Sequence, residues 1–261
     1  MFSAIKNTTS SLSHTIQDTC VVIPTYNNAA TILDVVERAQ QQGLPVIVVV
    51  DGCTDDTHTR LQPVKDLTLI HYYPNHGKGY ALHHGFLTAL RLGFSYAITL
   101  DADGQHFPED IPLLLQAHHA HPEAIIIGER QGLSQMERSH ASKFANAFSN
   151  FWFFVQTGHW LHDTQSGYRL YPLGLLRGLR WLTSRYEAEL ELLVFASWHG
   201  VKLYTTPVRV YYPPRTQRVS HFRPLYDFTR IFILNCILCV LALVYGLPLW
   251  VRRKMRGTKS S

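Results

Sequence analysis

YAITLDADGQ, residues 96–105, is an apolar run that stops on two carboxylates one residue apart, Asp101 and Asp103. A nearly continuous apolar stretch ended by Asp and Gly reads as a strand buried on both faces. Runs of the same kind stand at 20–24 (CVVIP), 46–51 (VIVVVD), 67–72 (LTLIHY) and 124–128 (AIIIG), with a further strand expected over 202–212. Between them Ile32, Val35, Val36 and Ala39, and then Leu82, Phe86, Ala89 and Leu90, recur at helical spacing. Strands alternating with amphipathic helices predict an α/β fold: an open, mostly parallel sheet flanked by helices, with ligands gathering at the carboxyl ends of the strands.

The polar residues fall at those ends. Asp101, Asp103 and the amide of Gln105 offer hard oxygen ligands suited to Mg²⁺ or Mn²⁺, which are held by one or two carboxylates together with substrate phosphates. PTYN at 24–27 closes the first strand, where Pro24, Tyr26 and Asn27 can rim a base and ribose. Asp51 closes the second and can accept from a ring N–H or a hydroxyl. NHGKG at 75–79 is a Gly-rich turn opening a helix, whose free N–H groups and Lys78 ammonium favour an anion.

Taken in this order, over residues 20–231, the chain resembles the family 2 glycosyltransferases of the GT-A (Rossmann-like) fold, and among them the polyprenyl- or dolichyl-phosphate mannose synthase branch. The resemblance implies that the PTYN strand end and Asp51 hold the nucleotide and that Asp101, Asp103 and Gln105 are the metal ligands. GER at 128–130, then Arg138 and Ser142, looks like the family's acceptor-phosphate region, and DTQSGYR at 163–169 like its acceptor loop. RTQRVSH at 215–221 is similar to a segment that helps bind the donor diphosphate, which points to Arg215 and His221. The chain departs from the family pattern at His221, Arg218, Asn28 and Val50, where Lys, Gly, Glu and Asp are usual.

The implied reaction is inverting transfer of a sugar from a nucleotide-sugar donor to a lipid-linked acceptor, with Asp103 at the reacting centre. A lipid phosphate is already an anion, to be held by Arg130, Arg138, Ser142 and Arg169. A lipid hydroxyl would instead need a base, with Asp163 the first candidate and Glu187 the second. A non-catalytic sugar-nucleotide-binding protein is the alternative outside enzymes, and the intact DADGQ argues against it.

Length bounds the architecture: 261 residues suffice for one catalytic domain, expected over 19–217, after a polar tail at 1–18. The tail lacks the apolar core of a signal peptide, and the four cysteines have no disulfide spacing, so a cytosolic catalytic domain is expected. The +5 net charge shows no nucleic-acid pattern; five cations, Arg252, Arg253, Lys254, Arg256 and Lys259, follow residues 231–251, a 21-residue stretch without charge. That stretch suffices for a bilayer core of about 30 Å at about 1.5 Å per residue. Residues 218–261 are therefore expected to attach the chain to the cytoplasmic face of a membrane. The positive-inside rule conflicts with a single crossing, and a break at Gly246 and Pro248 into a re-entrant or interfacial element is the alternative to a span. The aromatic stripe Phe144, Ala147, Phe148, Phe151, Trp152 and Val155 reads as core packing, with an interfacial role as the alternative. The histidine pairs lack metal-ligand spacing and read as surface and helix-end residues.

Overall fold

The computed structural model describes residues 17–130, 140–179, 182–212 and 224–257. Seven strands form one sheet: β1 (Thr19–Thr25), β2 (Val46–Asp51), β3 (Leu67–Tyr72), β4 (Tyr96–Thr99), β5 (Ala124–Arg130), β6 (Arg169–Pro172) and β7 (Lys202–Val208). Their order is β3-β2-β1-β4-β6-β5-β7. The β1–β2, β2–β3, β1–β4 and β5–β7 pairs are parallel, whereas β6 runs antiparallel to both β4 and β5. The mostly parallel sheet expected from the alternation is present. β6 is additional: only four residues long, it is buried throughout and carries Arg169 into the middle of the sheet.

Alternation along β1 and β2 feeds two cores. Val22, Ile47 and Val49 face α3 (Lys78–Arg91), through Leu82 and Phe86, and α7 (Ala188–Trp198). Val21, Ile23, Val48 and Val50 face α1 (Ile32–Gln40) and α4 (Ile111–Ala120), where Ile32, Val35, Val36 and Ala39 are all fully buried. Each aliphatic side chain so buried contributes roughly 1.5–3 kcal/mol, which fixes the strand ends that carry the polar residues. The short helix α2 (Thr57–Leu61) connects β2 to β3.

Two expectations are corrected. The aromatic stripe on α5 (His140–Thr157) is not core: Phe144, Phe151 and Val155 are about half exposed or more. The buried face holds Phe153 with Asn146, Ser149, Asn150 and Gln156, because the first three polar groups bind the loop that follows and Gln156 binds Asn235. Asn146 and Asn150 both donate to the His162 carbonyl, and Thr164 bonds to Asn150 and Ser149.

Nor do Gly246 and Pro248 break the C-terminal segment. After the short α6 (Leu173–Leu176) and α7, helix α8 (Pro224–Leu241) passes through a π-helical turn at Ala242–Gly246 into α9 (Leu247–Gly257). The wider turn seats Gly246 against Trp198, where a Cβ would lie 2.8 Å from the indole. Thr229–Met255 is long and apolar enough to cross a membrane by length and composition.

All four cysteines are free, and burial pushes the Cys20 thiol up to about 12.

Candidate active site

The carboxyl ends of β1, β2 and β4 open into one cleft of about 720 Å³, lined by 24–28, Asp51, Gly52, the turn before α3, Lys78 and 101–103. Pro24, Tyr26, Asn27, Asp51, Lys78, Asp101 and Asp103 are thus brought together as their positions at successive strand ends predict. Arg185 and Tyr186, which sequence reasoning passed over, close the opposite wall.

Backbone geometry builds the rim. Gly52 has φ +65°, and a Cβ there would collide with the backbone of Asn75, so only glycine lets the turn pack on the β2 end. Asp51 holds that turn: it accepts from the backbone N–H groups of His76 and Gly77, each at 2.7 Å, and from Asn75 Nδ2 at 2.9 Å. On the facing side Thr31 Oγ1 donates to the Ala102 carbonyl at 2.6 Å, tying the start of α1 to the loop carrying both aspartates.

Beneath the cleft lies a chain of charges. Lys78 Nζ is 2.6 Å from Asp101 Oδ1 and 2.7 Å from Glu189 Oε2. Burial works against the Lys78 ammonium, but the two carboxylates more than offset it and hold its pKa above the ordinary range. The same burial opposes the Asp101 charge, and Lys78 overrides it, keeping Asp101 ionised. Among the described residues Asp103 forms no ion pair. Its Oδ1 accepts from the Gln105 N–H at 3.0 Å, and burial together with the Asp101 charge pushes its pKa up to about 6.

The fit to a divalent cation follows from this imbalance. Asp101 and Asp103 are two hard carboxylates beside one ammonium, which pairs directly with Asp101 and Glu189 and reaches Asp103 only through space. Among the described residues there is no group of three or more His, Cys, Asp or Glu side chains able to hold a metal. A cation here would therefore complete its shell with the Gln105 amide, substrate phosphate and water oxygens, a mode usual for Mg²⁺. His106, next in sequence, is buried against Tyr168 at 5.2 Å between ring centres, and burial pushes its pKa down to about 4.

On the other side of the aspartates, Arg130 at the end of β5 meets Asp163 in a bidentate pair, Nε to Oδ2 and NH2 to Oδ1, both at 2.6 Å. The acceptor-like loop 163–169 is pressed against the charge chain. A Cβ on Gly167 would lie 2.8 Å from Asp101 Oδ2 and 2.8 Å from Lys78 Nζ. Thr99 Oγ1 donates to the Gly167 carbonyl at 2.6 Å.

Arg169 departs from what the resemblance implied. It is fully buried, and its guanidinium donates to the carbonyls of Thr164 and Glu189 and to the Tyr171 hydroxyl. It braces the loop from behind instead of facing a phosphate. Glu187 is likewise engaged, by Arg230 of α8. Glu189 carried no expectation, since in YEAELELL nothing distinguishes it from its acidic neighbours. Arg138, Arg215, His221 and the side chain of Ser142 lie outside the described residues, as does the expected boundary at 217/218.

Residues 20–177 match glycosyl transferase family 2. A UDP-N-acetylglucosamine–dolichyl-phosphate N-acetylglucosaminyltransferase of Methanococcus voltae is 27% identical over 213 residues, 74% of this chain and 85% of that protein. A polyprenol monophosphomannose synthase of Mycolicibacterium smegmatis is 34% identical over 169 residues, 59% of this chain and 62% of that protein. The fold matches the crystal structure of S. aureus TarS 1–349 in complex with UDP-GlcNAc with a TM-score of 0.55 at 15% identity, over 85% of this chain and 66% of that one. With the family match spanning more than half of its residues, the chain belongs to glycosyl transferase family 2.

Proposed function

We propose that the chain transfers a sugar from a nucleotide-sugar donor to a lipid-linked phosphate at the cytoplasmic face of a membrane, with inversion at the anomeric carbon and with Mg²⁺ or Mn²⁺. The observation that carries this reading is a polar cleft rimmed by Tyr26, Asn27 and Asp51 with the Asp101–Asp103 pair at its floor, and, outside that cleft, the Arg130–Asp163 pair whose guanidinium acts on Asp101. Relatives whose names specify dolichyl-phosphate and polyprenol monophosphate chemistry support the same acceptor class.

In this reading Tyr26 and Asn27 flank the base, and Asp51 keeps the 75–77 turn in place beside the ribose. Asp101, Asp103 and Gln105 would hold the cation. Such a cation, when bound, supplies positive charge to the departing diphosphate. Lys78 fixes the Asp101 carboxylate and keeps it ionised, while Arg215 and His221 are proposed to assist at the diphosphate. Arg130, with Arg138 and Ser142, is assigned to the acceptor phosphate. Asp163 aims the Arg130 guanidinium: both its oxygens are engaged, which suits a positioning residue and disfavours a base. A phosphate acceptor requires no base, so the reading is consistent with that geometry. The apolar C-terminal helix is the proposed membrane attachment.

The test is transfer by purified protein from a panel of labelled nucleotide sugars, with polyprenyl phosphate and, separately, the corresponding polyprenol. Sugar is expected on the phosphate and not on the alcohol. Product from the alcohol alone moves the reaction to the hydroxyl class, and no product from any donor overturns the proposal.

A further inference from the structure

The C-terminal helix is apolar enough to cross a bilayer, yet the catalytic domain lies along it from one end to the other. Near its start Arg230 pairs with Glu187 at the head of α7. One turn on, Asn235 accepts from Gln156 of α5 at 2.8 Å, in a buried contact. At the π-helical turn Gly246 seats against Trp198, and the Tyr245 hydroxyl is 3.1 Å from His199 Nε2. Near the end Arg253 packs on Gly200. From Arg230 to Arg253 a helix of this pitch covers about 35 Å, as much as a hydrocarbon core of about 30 Å. If the helix stood upright, the domain surface beside it, with exposed His199 and Lys202, would have to sit at bilayer depth. Burying such groups in lipid costs far more than the helix gains.

The side turned away from the domain is of another kind. Ile233, Ile237, Val240, Val244, Leu247 and Val251 advance by four, three, four, three and four residues, and each is 39–66% exposed. Leu234 and Leu238, on the other side, are buried. The helix ends in cations, Arg252, Arg253 and Lys254, of which Arg253 turns to the domain at Gly200, while Lys254 Nζ lies 5.1 Å from the Trp250 ring. Beside the helix, α5 adds exposed Phe144, Phe151 and Phe154. An aromatic and aliphatic surface edged by Trp and basic residues matches the interface of a single leaflet with anionic headgroups.

We infer that α8 and α9 lie in the plane of one leaflet, between the catalytic domain and the lipid, and do not cross the membrane. This deepens the membrane attachment proposed above. It also resolves the conflict in the sequence, because the basic tail then stays on the same side as the catalytic domain, as the positive-inside rule asks.

The experiment uses the full chain with a peptide tag before Met1 or after Ser261, expressed in a bacterial host and isolated as sealed inside-out vesicles. Both tags are expected to be removed by added protease at the same rate without detergent. A C-terminal tag protected until detergent is added overturns the inference, because it places the tail across the bilayer. Recovery of the chain in the supernatant, as a monomer or as a dimer paired through the stripe, overturns it equally. A second variant, Val240→Asp with Val244→Asp, changes two exposed positions outside the core and is expected to lower the membrane-bound fraction about tenfold or more. Unchanged retention in the pellet contradicts the stripe. Neither readout depends on sugar transfer, so failure of the catalytic proposal leaves this result separately readable.

Discussion

Lys78 Nζ sits 2.6 Å from Asp101 Oδ1 at the floor of the cleft, and the same ammonium is shared with Glu189 from α7. One lysine thus fastens the aspartate loop to a helix on the far side of the 163–169 loop. Lys78→Met would leave buried Glu189 and partly buried Asp101 without their shared cation, and a loss of roughly 2–4 kcal/mol of stability is expected, below the full value for a wholly buried pair because Asp101 meets the cleft solvent. Urea unfolding measures it. Adding Glu189→Gln should return part of the stability, because one orphaned charge is removed. A loss below about 1 kcal/mol would class the contact with ordinary surface pairs.

Gly167→Ala is expected to reduce transfer by at least about tenfold, since a 1–3 kcal/mol overpacking strain would fall on Asp101 and Lys78. The Cβ would lie 2.8 Å from each of them. Circular dichroism and gel filtration should stay unchanged. Wild-type turnover in this variant means that the loop is free to move away from the aspartates.

Asp163→Asn separates positioning from base catalysis. With the Arg130 guanidinium no longer clamped at two points, KM for the lipid acceptor is expected to rise while the pH–rate profile keeps its shape. A collapse of kcat together with loss of the acidic limb would identify Asp163 as the base.

His118, on the buried side of α4 against Tyr96, has its pKa pushed down to about 4 by burial. Its unfolded value is near 6.5, so between pH 6.5 and 4 the unfolded chain binds the extra proton and stability falls as pH falls. From pH 7.5 to 5 the loss is on the order of 2 kcal/mol for this group. His106, held down to about 4 in the same way, adds a loss of the same sign. Denaturation midpoints of His118→Gln at the two pH values should therefore differ by less than those of the wild type. An equal difference in both proteins removes His118 from the account.

Much of this was readable from residues alone. The parallel strands carry unbroken Val and Ile runs, and β1, β2 and β4 end on the very residues that line the cleft. β6 was not readable, because RLYP mixes charge, aromatic ring and proline, and only pairing on both edges makes it a strand. The same pairing takes Arg169 out of reach of a ligand. The α5 stripe misled because periodicity reports that two faces differ, not which one is inward, and here Asn146 and Asn150 are inward to bind the following loop and Gln156 to bind Asn235. Glu189 became visible only when folding set it beside Lys78.

The central claim is that Asp101 and Asp103 grip a cation that in turn grips the donor diphosphate. Calorimetric titration of UDP- and GDP-sugars into the purified chain, with Mn²⁺, with Mg²⁺ and with chelator, tests it directly. Binding of at least one donor is expected with metal, weakened about tenfold or more by chelator and by Asp103→Asn, as expected when a several-kcal/mol charge interaction is removed. Donor binding of equal affinity without a cation, or in the Asp103→Asn protein, would contradict the account.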